Sequence, residues 1–350
     1  MSVSSLRIYC WEGYDSQAVL APFCHRTGIE VHARTFTSDV EAAHEVAENT
    51  THSFDILNIN NAYVKKFLHP LGRIVPLEKS RYESNVEKTL KQFSHLDRWS
   101  WSEDGSEKIG ICQRFGTFNF VVNTRRISRS SAEDSGFDLA ADPAMRGRYG
   151  ILLYEDFNVF HICVAAGLDP FQRLEPNQEE AFESTARRWF NNAALVTKDH
   201  HVLNRALVEK KIDFYLSGGI YTASPARLSG HSEIRAITPL RGPIDGRGGI
   251  VFTEVTSALA HKGNSPWSEA FLTYLLESET AVRVAFVEGT CNPVLQMGDP
   301  KVMEAFSPAQ LDAIQWDDLE EEVSRCADYN IVPNLSTLLQ RLRKVRLTKP

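Results

Sequence analysis

The sequence of 350 residues lacks a long apolar run. A membrane-spanning helix needs about 20 consecutive apolar residues, and no segment here reaches that length. A signal peptide is also not evident, because residues 1–5 lead into the first β-prone stretch without a basic region or an apolar core. Two alternatives therefore stay open: a cytosolic protein, or an exported protein whose leader has been removed.

An excess of positive charge is also lacking. The chain has 38 Lys and Arg against 45 Asp and Glu, a formal net charge of -7 and a pI near 5.9. Proteins that bind nucleic acid present a basic surface to the phosphates. We therefore expect no nucleic-acid partner, and we interpret the basic cluster at 341–346 as a solvated helix face.

Motifs for covalent or cofactor chemistry are missing as well. The six cysteines are widely spaced and form no CxxC pair, which argues against a zinc site or a disulfide scaffold. A single disulfide between Cys291 and Cys326 stays open if the protein is exported. There is no P-loop, nucleophile elbow or dinucleotide fingerprint. We expect no catalytic residue, no metal and no cofactor.

The pattern that is present indicates an α/β protein of two domains. The length exceeds that of one ordinary core. In the N-terminal third, strand and helix signals alternate, as in parallel βαβ units. The pattern predicts a strand at Leu6 to Cys10, a helix capped by Asp15 or Ser16 that stops near Gly28, and a strand at 55–58 followed by Asn60 at a helix start.

Two β-prone runs are long enough to pass from one domain to another. The first covers 109–123 and is interrupted at Gly116, and the second covers 248–255. We predict a first lobe at 1–115, a second lobe at 116–249 and a return to the first lobe at 250–350. The terminal helix, which begins near Asn334, is then expected to pack on the first domain. Two lobes joined in this way form a hinge that can close on a small ligand.

Residues 11–14, Trp-Glu-Gly-Tyr, are the most distinctive segment. They follow the first predicted strand, and ligands of open α/β sheets bind at the carboxyl ends of strands. Aromatic faces beside a carboxylate suit an organic ammonium group. The alternative is that Trp11 and Tyr14 fill the core, as aromatic residues commonly do.

The order of these features resembles the periplasmic solute-binding proteins of polyamine-type ABC importers, the spermidine and putrescine receptors. The similar segments are residues 11–14, residues 54–58 with Tyr63-Val64, residues 151–160 with their carboxylates, and residues 248–254. The resemblance implies the two-lobe periplasmic-binding-protein fold of type II, with hinge-crossing strands and a ligand cleft between the lobes. It covers the chain from Leu6 to about Phe306.

The resemblance also implies a function. It predicts a periplasmic receptor, monomeric and without enzyme activity, that delivers a small amine-bearing ligand to the membrane permease of an ABC importer. The ligand-binding residues that it implies are Trp11, Glu12, Tyr14, Asn60, Glu155, Asn158, Phe252 and Glu254. Arg114, beside Gly116, is a further candidate that the family pattern does not supply. Strand alternation puts Phe252 and Glu254 on one face, and we expect Glu254 to be the principal amine acceptor.

Departures from the family pattern leave other ligands open. Ala62, Ser217 and Thr290 stand where the family has aromatic residues, which disfavours a long polyamine. Arg114 adds a cation that suits the acid end of a zwitterion, an amino acid or an aminophosphonate. Alternatively, Arg114 forms a salt bridge with Glu254 or Glu12.

Two further alternatives concern the other candidates and the class of function. Glu155 and Asn60 are also typical residues for helix starts. A cytosolic enzyme or sensor on the same fold is the alternative from another class.

Overall fold

The computed structural model of the chain describes residues 5–48, 54–261, 265–287 and 289–347. Residues 1–4, which entered the prediction on a signal peptide, lie outside this part. The strands are β1 (Ser5–Cys10), β2 (Glu30–Thr35), β3 (Ile56–Asn60), β4 (Ile111–Asn123), β5 (Tyr149–Leu152), β6 (Leu195–Thr197), β7 (Phe214–Gly219), β8 (Ile234–Ile237), β9 (Gly249–Ala258) and β10 (Cys326–Asp328).

The α-helices are α1 (Gln17–Thr27), α2 (Asp39–Glu48), α3 (Asn61–Tyr63), α4 (Glu83–Val86), α5 (Arg129–Ser135), α6 (Glu155–Ala165), α7 (Pro176–Asn192), α8 (His200–Val208), α9 (Ile220–Leu228), α10 (Ser268–Leu275), α11 (Ser278–Ala285), α12 (Pro300–Met303), α13 (Pro308–Ala313), α14 (Trp316–Ser324) and α15 (Leu335–Leu347). A π-helical turn covers Val64–Leu68, and short 3₁₀ helices cover Lys79–Arg81, Lys91–Ser100, Gly136–Ala141, Pro143–Met145 and Leu295–Gly298.

The chain divides into two compact units. Unit 1 contains Met1–Phe115 and Phe252–Ser307, and unit 2 contains Gly116–Val251 and Pro308–Pro350. The chain passes from unit 1 to unit 2 within β4, beside Gly116, and returns within β9. Both passages fall inside the long β-prone runs of the sequence.

The third passage contradicts the predicted boundaries, because the last 43 residues, Pro308–Pro350, belong to unit 2 rather than to the first lobe. The terminal helix α15 packs on α6 and α7 with its apolar stripe. Arg341 adds ion pairs to Glu179 and Glu183 of α7. The sequence showed a buried stripe at helical spacing but gave no sign of which unit covers it.

Unit 1 is built on a sheet in the order β2, β1, β3, β9. Strands β1, β2 and β3 are parallel, and β9 runs antiparallel to β3. Helix α1 begins after Ser16, whose hydroxyl accepts from the Val19 amide at 3.4 Å, and ends before Gly28, whose φ is 71°. Both boundaries of this helix are as predicted. The α/β class and the βαβ units are confirmed in this region.

Unit 2 has its own sheet, in which β4 pairs with β7, β7 with β5, and β5 with β6. Strand β8 also pairs with β4, and β10 pairs with the first three residues of β9. Helix α6 begins at Glu155, directly after its N-cap Tyr154, so Asp156 and Asn158 lie inside the helix. Because β5 ends at Leu152, only a short turn separates the strand from the helix.

All six cysteines are free, including Cys291 and Cys326. No helix in the described part of the chain is long and apolar enough to span a membrane. Within the same residues, no group of three or more His, Cys, Asp and Glu side chains lies together as a metal would require.

Candidate functional site

The pairing of β3 with β9 places two predicted site residues opposite each other in unit 1. Asn60 is the register partner of Glu254, and Asn58 is the partner of Thr256. Directly opposed residues in an antiparallel pair present their side chains on the same face. Phe252, two residues before Glu254, shares that face by strand alternation and is 8% exposed.

Arg114, in the unit 1 part of β4, forms a buried ion pair with Glu254. Its Nε donates to Oε2 at 2.8 Å and its Nη2 to Oε1 at 3.0 Å. The two side chains are only 3% and 8% exposed. Nη2 also donates to the main-chain carbonyl of Glu12 at 2.9 Å, which ties the turn after β1 to the pair. Of the alternatives for Arg114, the structure shows the salt bridge with Glu254.

Residues 11–14 form a tight turn over this ion pair. Gly13 has a φ of 98°, and a Cβ built on it would lie 2.5 Å from Cγ2 of Val287, so both backbone and space require glycine there. The turn carries the Tyr14 ring to the Arg114 guanidinium, whose carbon lies 4.7 Å from the ring centroid. Burial, with the nearby charge of Glu254, raises the pKa of Tyr14 well above its usual value, so its hydroxyl stays protonated.

A second buried carboxylate, Asp39, was not predicted as a site residue. Asp39 is the first residue of α2 and is 1% exposed. Trp11 Nε1 donates to its Oδ1 at 2.9 Å, and Asn60 donates to it twice, from Nδ2 at 2.7 Å and from the main-chain N at 3.3 Å. The indole of Trp11 also packs on Phe36, with ring centroids 5.0 Å apart. The only signal of Asp39 in the sequence is its position directly after Ser38, a residue type that commonly precedes helices.

These contacts and the register of β3 with β9 bring the predicted unit 1 residues and Asp39 into one cluster. We call it the β1–β9 cluster: Trp11, Glu12, Tyr14, Asp39, Asn60, Arg114, Phe252 and Glu254. It contains three carboxylates and one guanidinium. Burial raises the pKa of Glu254, Arg114 opposes this rise, and the charge of Glu12 adds to it. The Arg114 charge is therefore matched by Glu254, and Glu12 and Asp39 add two further carboxylates to the cluster.

The other two predicted residues lie in unit 2 and have internal partners there. Glu155, the first residue of α6, pairs with Arg343 and Arg346 of α15. Asn158 is fully buried, and its Nδ2 donates to the Leu152 carbonyl at 2.9 Å and to Ser217 Oγ at 2.7 Å. Glu155 thus holds the terminal helix, which the resemblance did not anticipate.

A buried serine and histidine in unit 2 have the contact expected of a nucleophile and a base. Ser217, with a φ of 61°, lies 3.0 Å from Nδ1 of His161, whose Nε2 is 2.8 Å from the Phe118 carbonyl. Because a carbonyl only accepts, Nε2 carries the proton and Ser217 donates to Nδ1. Both side chains are fully buried, and burial lowers the pKa of His161 to about 3. A base that weak, out of reach of substrate, does not support catalysis at neutral pH.

No protein-family model and no curated protein sequence matches the chain. Solved structures do. A putative spermidine/putrescine ABC transporter protein from Listeria monocytogenes matches with a TM-score of 0.73 and 14% identity, over 98% of this chain and 99% of that one. The spermidine/putrescine substrate-binding protein PotD from Streptococcus pneumoniae matches with a TM-score of 0.65 and 16% identity, with the same coverages.

A third similar structure is the binding protein MotA from A. tumefaciens in complex with glucopine, with a TM-score of 0.63 and 12% identity over 98% of this chain and 99% of that one. Identities this low establish the fold alone. The resemblance seen in the sequence is confirmed at that level. The chain has the two-lobe α/β fold of the periplasmic binding proteins, the fold of the spermidine/putrescine substrate-binding proteins.

Proposed function

We propose that this protein is a solute-binding receptor for a small amine-bearing ligand, which it delivers to the permease of an ABC importer outside the cytoplasm. The single observation that carries the ligand class is the β1–β9 cluster. Its three carboxylates outnumber its one guanidinium, and they lie beside Trp11 and Tyr14. Surplus negative charge and ring faces are the features that bind organic cations.

The fold supports the receptor role, since the similar structures are substrate-binding proteins of transporters. The absence of enzyme activity is part of the same proposal. The buried pair of Ser217 and His161 gives it support, because neither side chain reaches solvent.

The zwitterion alternative receives less support from the geometry. A ligand carboxylate would have to bind Arg114, yet Nε and Nη2 of this guanidinium already donate to Glu254 and Glu12. An amine needs no such rearrangement, because it is a donor and the cluster is rich in acceptors.

A thermal-shift screen tests the ligand class, because a ligand that binds the native state raises its apparent stability. The compounds are putrescine, spermidine, amino acids, choline and aminophosphonates. We expect the diamine or polyamine to give the largest shift. Shifts with the amino acids or aminophosphonates and none with the amines would refute the amine proposal.

Glu12→Gln tests the role of charge, because Glu12 is partly exposed and its loss leaves the buried ion pair intact. We expect amine affinity in titration calorimetry to fall about tenfold, the equivalent of about 1.4 kcal/mol. Glu279→Gln is the matched control, since it removes the same charge from an 85% exposed side chain of α11 in the same unit. Equal effects of the two variants would remove Glu12 from the site.

A further inference from the structure

Asp39 holds the side-chain amide of Asn60 in one orientation. The carboxylate of Asp39 has only acceptor oxygens, so the group of Asn60 that lies 2.7 Å from Oδ2 must be the NH₂. The amide cannot turn over without placing two acceptor oxygens against each other. The carbonyl oxygen Oδ1 of Asn60 is therefore fixed as an acceptor.

That acceptor is buried and unused. Asn60 is 3% exposed, and no group among the described residues donates to its Oδ1. Neighbouring Asn58 provides a contrast, because its amide lies 2.9 Å from the hydroxyl of Thr256, which can donate as well as accept. Oδ1 of Asn58 also lacks a donor among the described residues, but the hydroxyl partner does not fix the orientation of this amide, whereas the Asp39 carboxylate fixes that of Asn60.

A buried acceptor without a donor is unfavourable, so a ligand that supplies an N–H there binds more tightly than one that does not. Asn60 is opposite Glu254, within the β1–β9 cluster. A primary ammonium group brings both charge and N–H donors to such a position. A quaternary ammonium group brings the same charge but has no N–H donor.

We propose that Asp39 is a positioning residue that sets Asn60 as a hydrogen-bond acceptor for the ligand, so that the site selects primary over quaternary ammonium groups. This inference rests on the proposed function. It distinguishes the site from an aromatic cage, which binds quaternary ammonium groups well through cation–π attraction.

The first arm of the test uses the ligand-free protein and nuclear magnetic resonance of the side-chain amides. We expect one Asn60 amide proton to be shifted downfield and protected from exchange by its bond to Asp39. In Asp39→Asn the partner can donate or accept, and the signal should lose both properties. Trp11→Phe is the matched control, because it removes another donor from the same carboxylate and leaves the Asn60 bond in place. An Asn60 signal that Asp39→Asn leaves unchanged would overturn the proposal.

The second arm compares putrescine with its bis-trimethylammonium analogue by titration calorimetry. The native protein and the control Glu279→Gln, outside the cluster, should prefer putrescine at least tenfold, and Asp39→Asn should reduce the ratio to threefold or less. Should Asp39→Asn not fold, Asn60→Ala carries the same expectation. An equal affinity of the native protein for both compounds would overturn the selectivity. Failure to bind any amine would refute the proposed function instead, and the amide signal would still decide whether Asp39 positions Asn60.

Discussion

The buried pair of Arg114 and Glu254 allows a sharp test of how unit 1 is held together. The perturbation is a double-mutant cycle of Arg114→Met, Glu254→Leu and the combination, in which apolar side chains of similar size replace the ions. Each single variant leaves one buried charge without its partner. The double variant leaves none.

The structure sets the expected magnitudes. The side chains are 3% and 8% exposed and joined by two hydrogen bonds, so solvent screens the pair little. Breaking such a pair from one side costs about 3 to 5 kcal/mol, whereas replacing both ions by packed apolar groups is often neutral or stabilising. We therefore expect each single variant to lose about 3 to 5 kcal/mol of unfolding free energy and the double variant to lose much less.

The assay is urea unfolding, followed by both tryptophan fluorescence and circular dichroism to check that the transitions coincide. The control cycle uses Arg283 and Glu279 of α11, an exposed pair at 3.4 Å. Its coupling should not exceed about 0.5 kcal/mol.

The pH dependence of Arg114→Met gives a second readout. Burial already raises the pKa of Glu254, and loss of the opposing Arg114 charge raises it further. A carboxyl whose pKa is higher in the folded state costs stability as pH rises through the interval between its unfolded and folded values. The variant should therefore be closer to the native protein at pH 5 than at pH 8. Additive single losses, or a deficit independent of pH, would refute the reasoning.

Two further predictions concern unit 2. Because burial lowers the pKa of His161 to about 3, its imidazole resonances should show the Nε2-protonated tautomer and should not titrate between pH 8 and pH 4 in the folded protein. A titration midpoint near 6.5 would contradict the buried contact with Ser217. Burial raises the pKa of Glu322 from 4.5 to about 7, so the unfolding free energy should fall by about 3 kcal/mol as pH rises between these values. In urea unfolding at pH 4.5 to 8, Glu322→Gln should reduce this dependence on pH. An unchanged dependence would show that Glu322 is not its source.

Local signals in the sequence were sufficient to predict the N-terminal βαβ units of unit 1. The start of α1 at Ser16 and its end at Gly28 could be predicted, because helix capping and left-handed backbone depend on residues that are adjacent in sequence. The crossing strands β4 and β9 were visible as long β-prone runs. The unit on which α15 packs could not be predicted. An apolar stripe indicates that one face of a helix is buried, but it does not indicate which element buries it.

The contacts within the site were harder to predict from the sequence than the fold was. Glu254 and Asn60 could be proposed from strand position, but their opposition depends on the register between β3 and β9, about 200 residues apart in the chain. Asp39 was missed because an acid at a helix start ordinarily serves that helix alone. Its role is evident only from the structure, in which Trp11 and Asn60 both donate hydrogen bonds to its carboxylate.

A carboxylate serves a ligand to the extent that the protein has not already satisfied it, and this decides how the β1–β9 cluster would hold a cation. Glu254 was the expected amine acceptor, yet both of its oxygens accept from Arg114. Asp39 likewise accepts from Trp11 and Asn60. Both carboxylates still contribute negative potential, but their oxygens already accept from protein donors. The buried oxygen of Asn60, to which no described residue donates, is therefore the acceptor proposed for direct contact, and Glu12 is proposed to act through its charge. Variants at those two positions, rather than at Glu254, thus test ligand recognition.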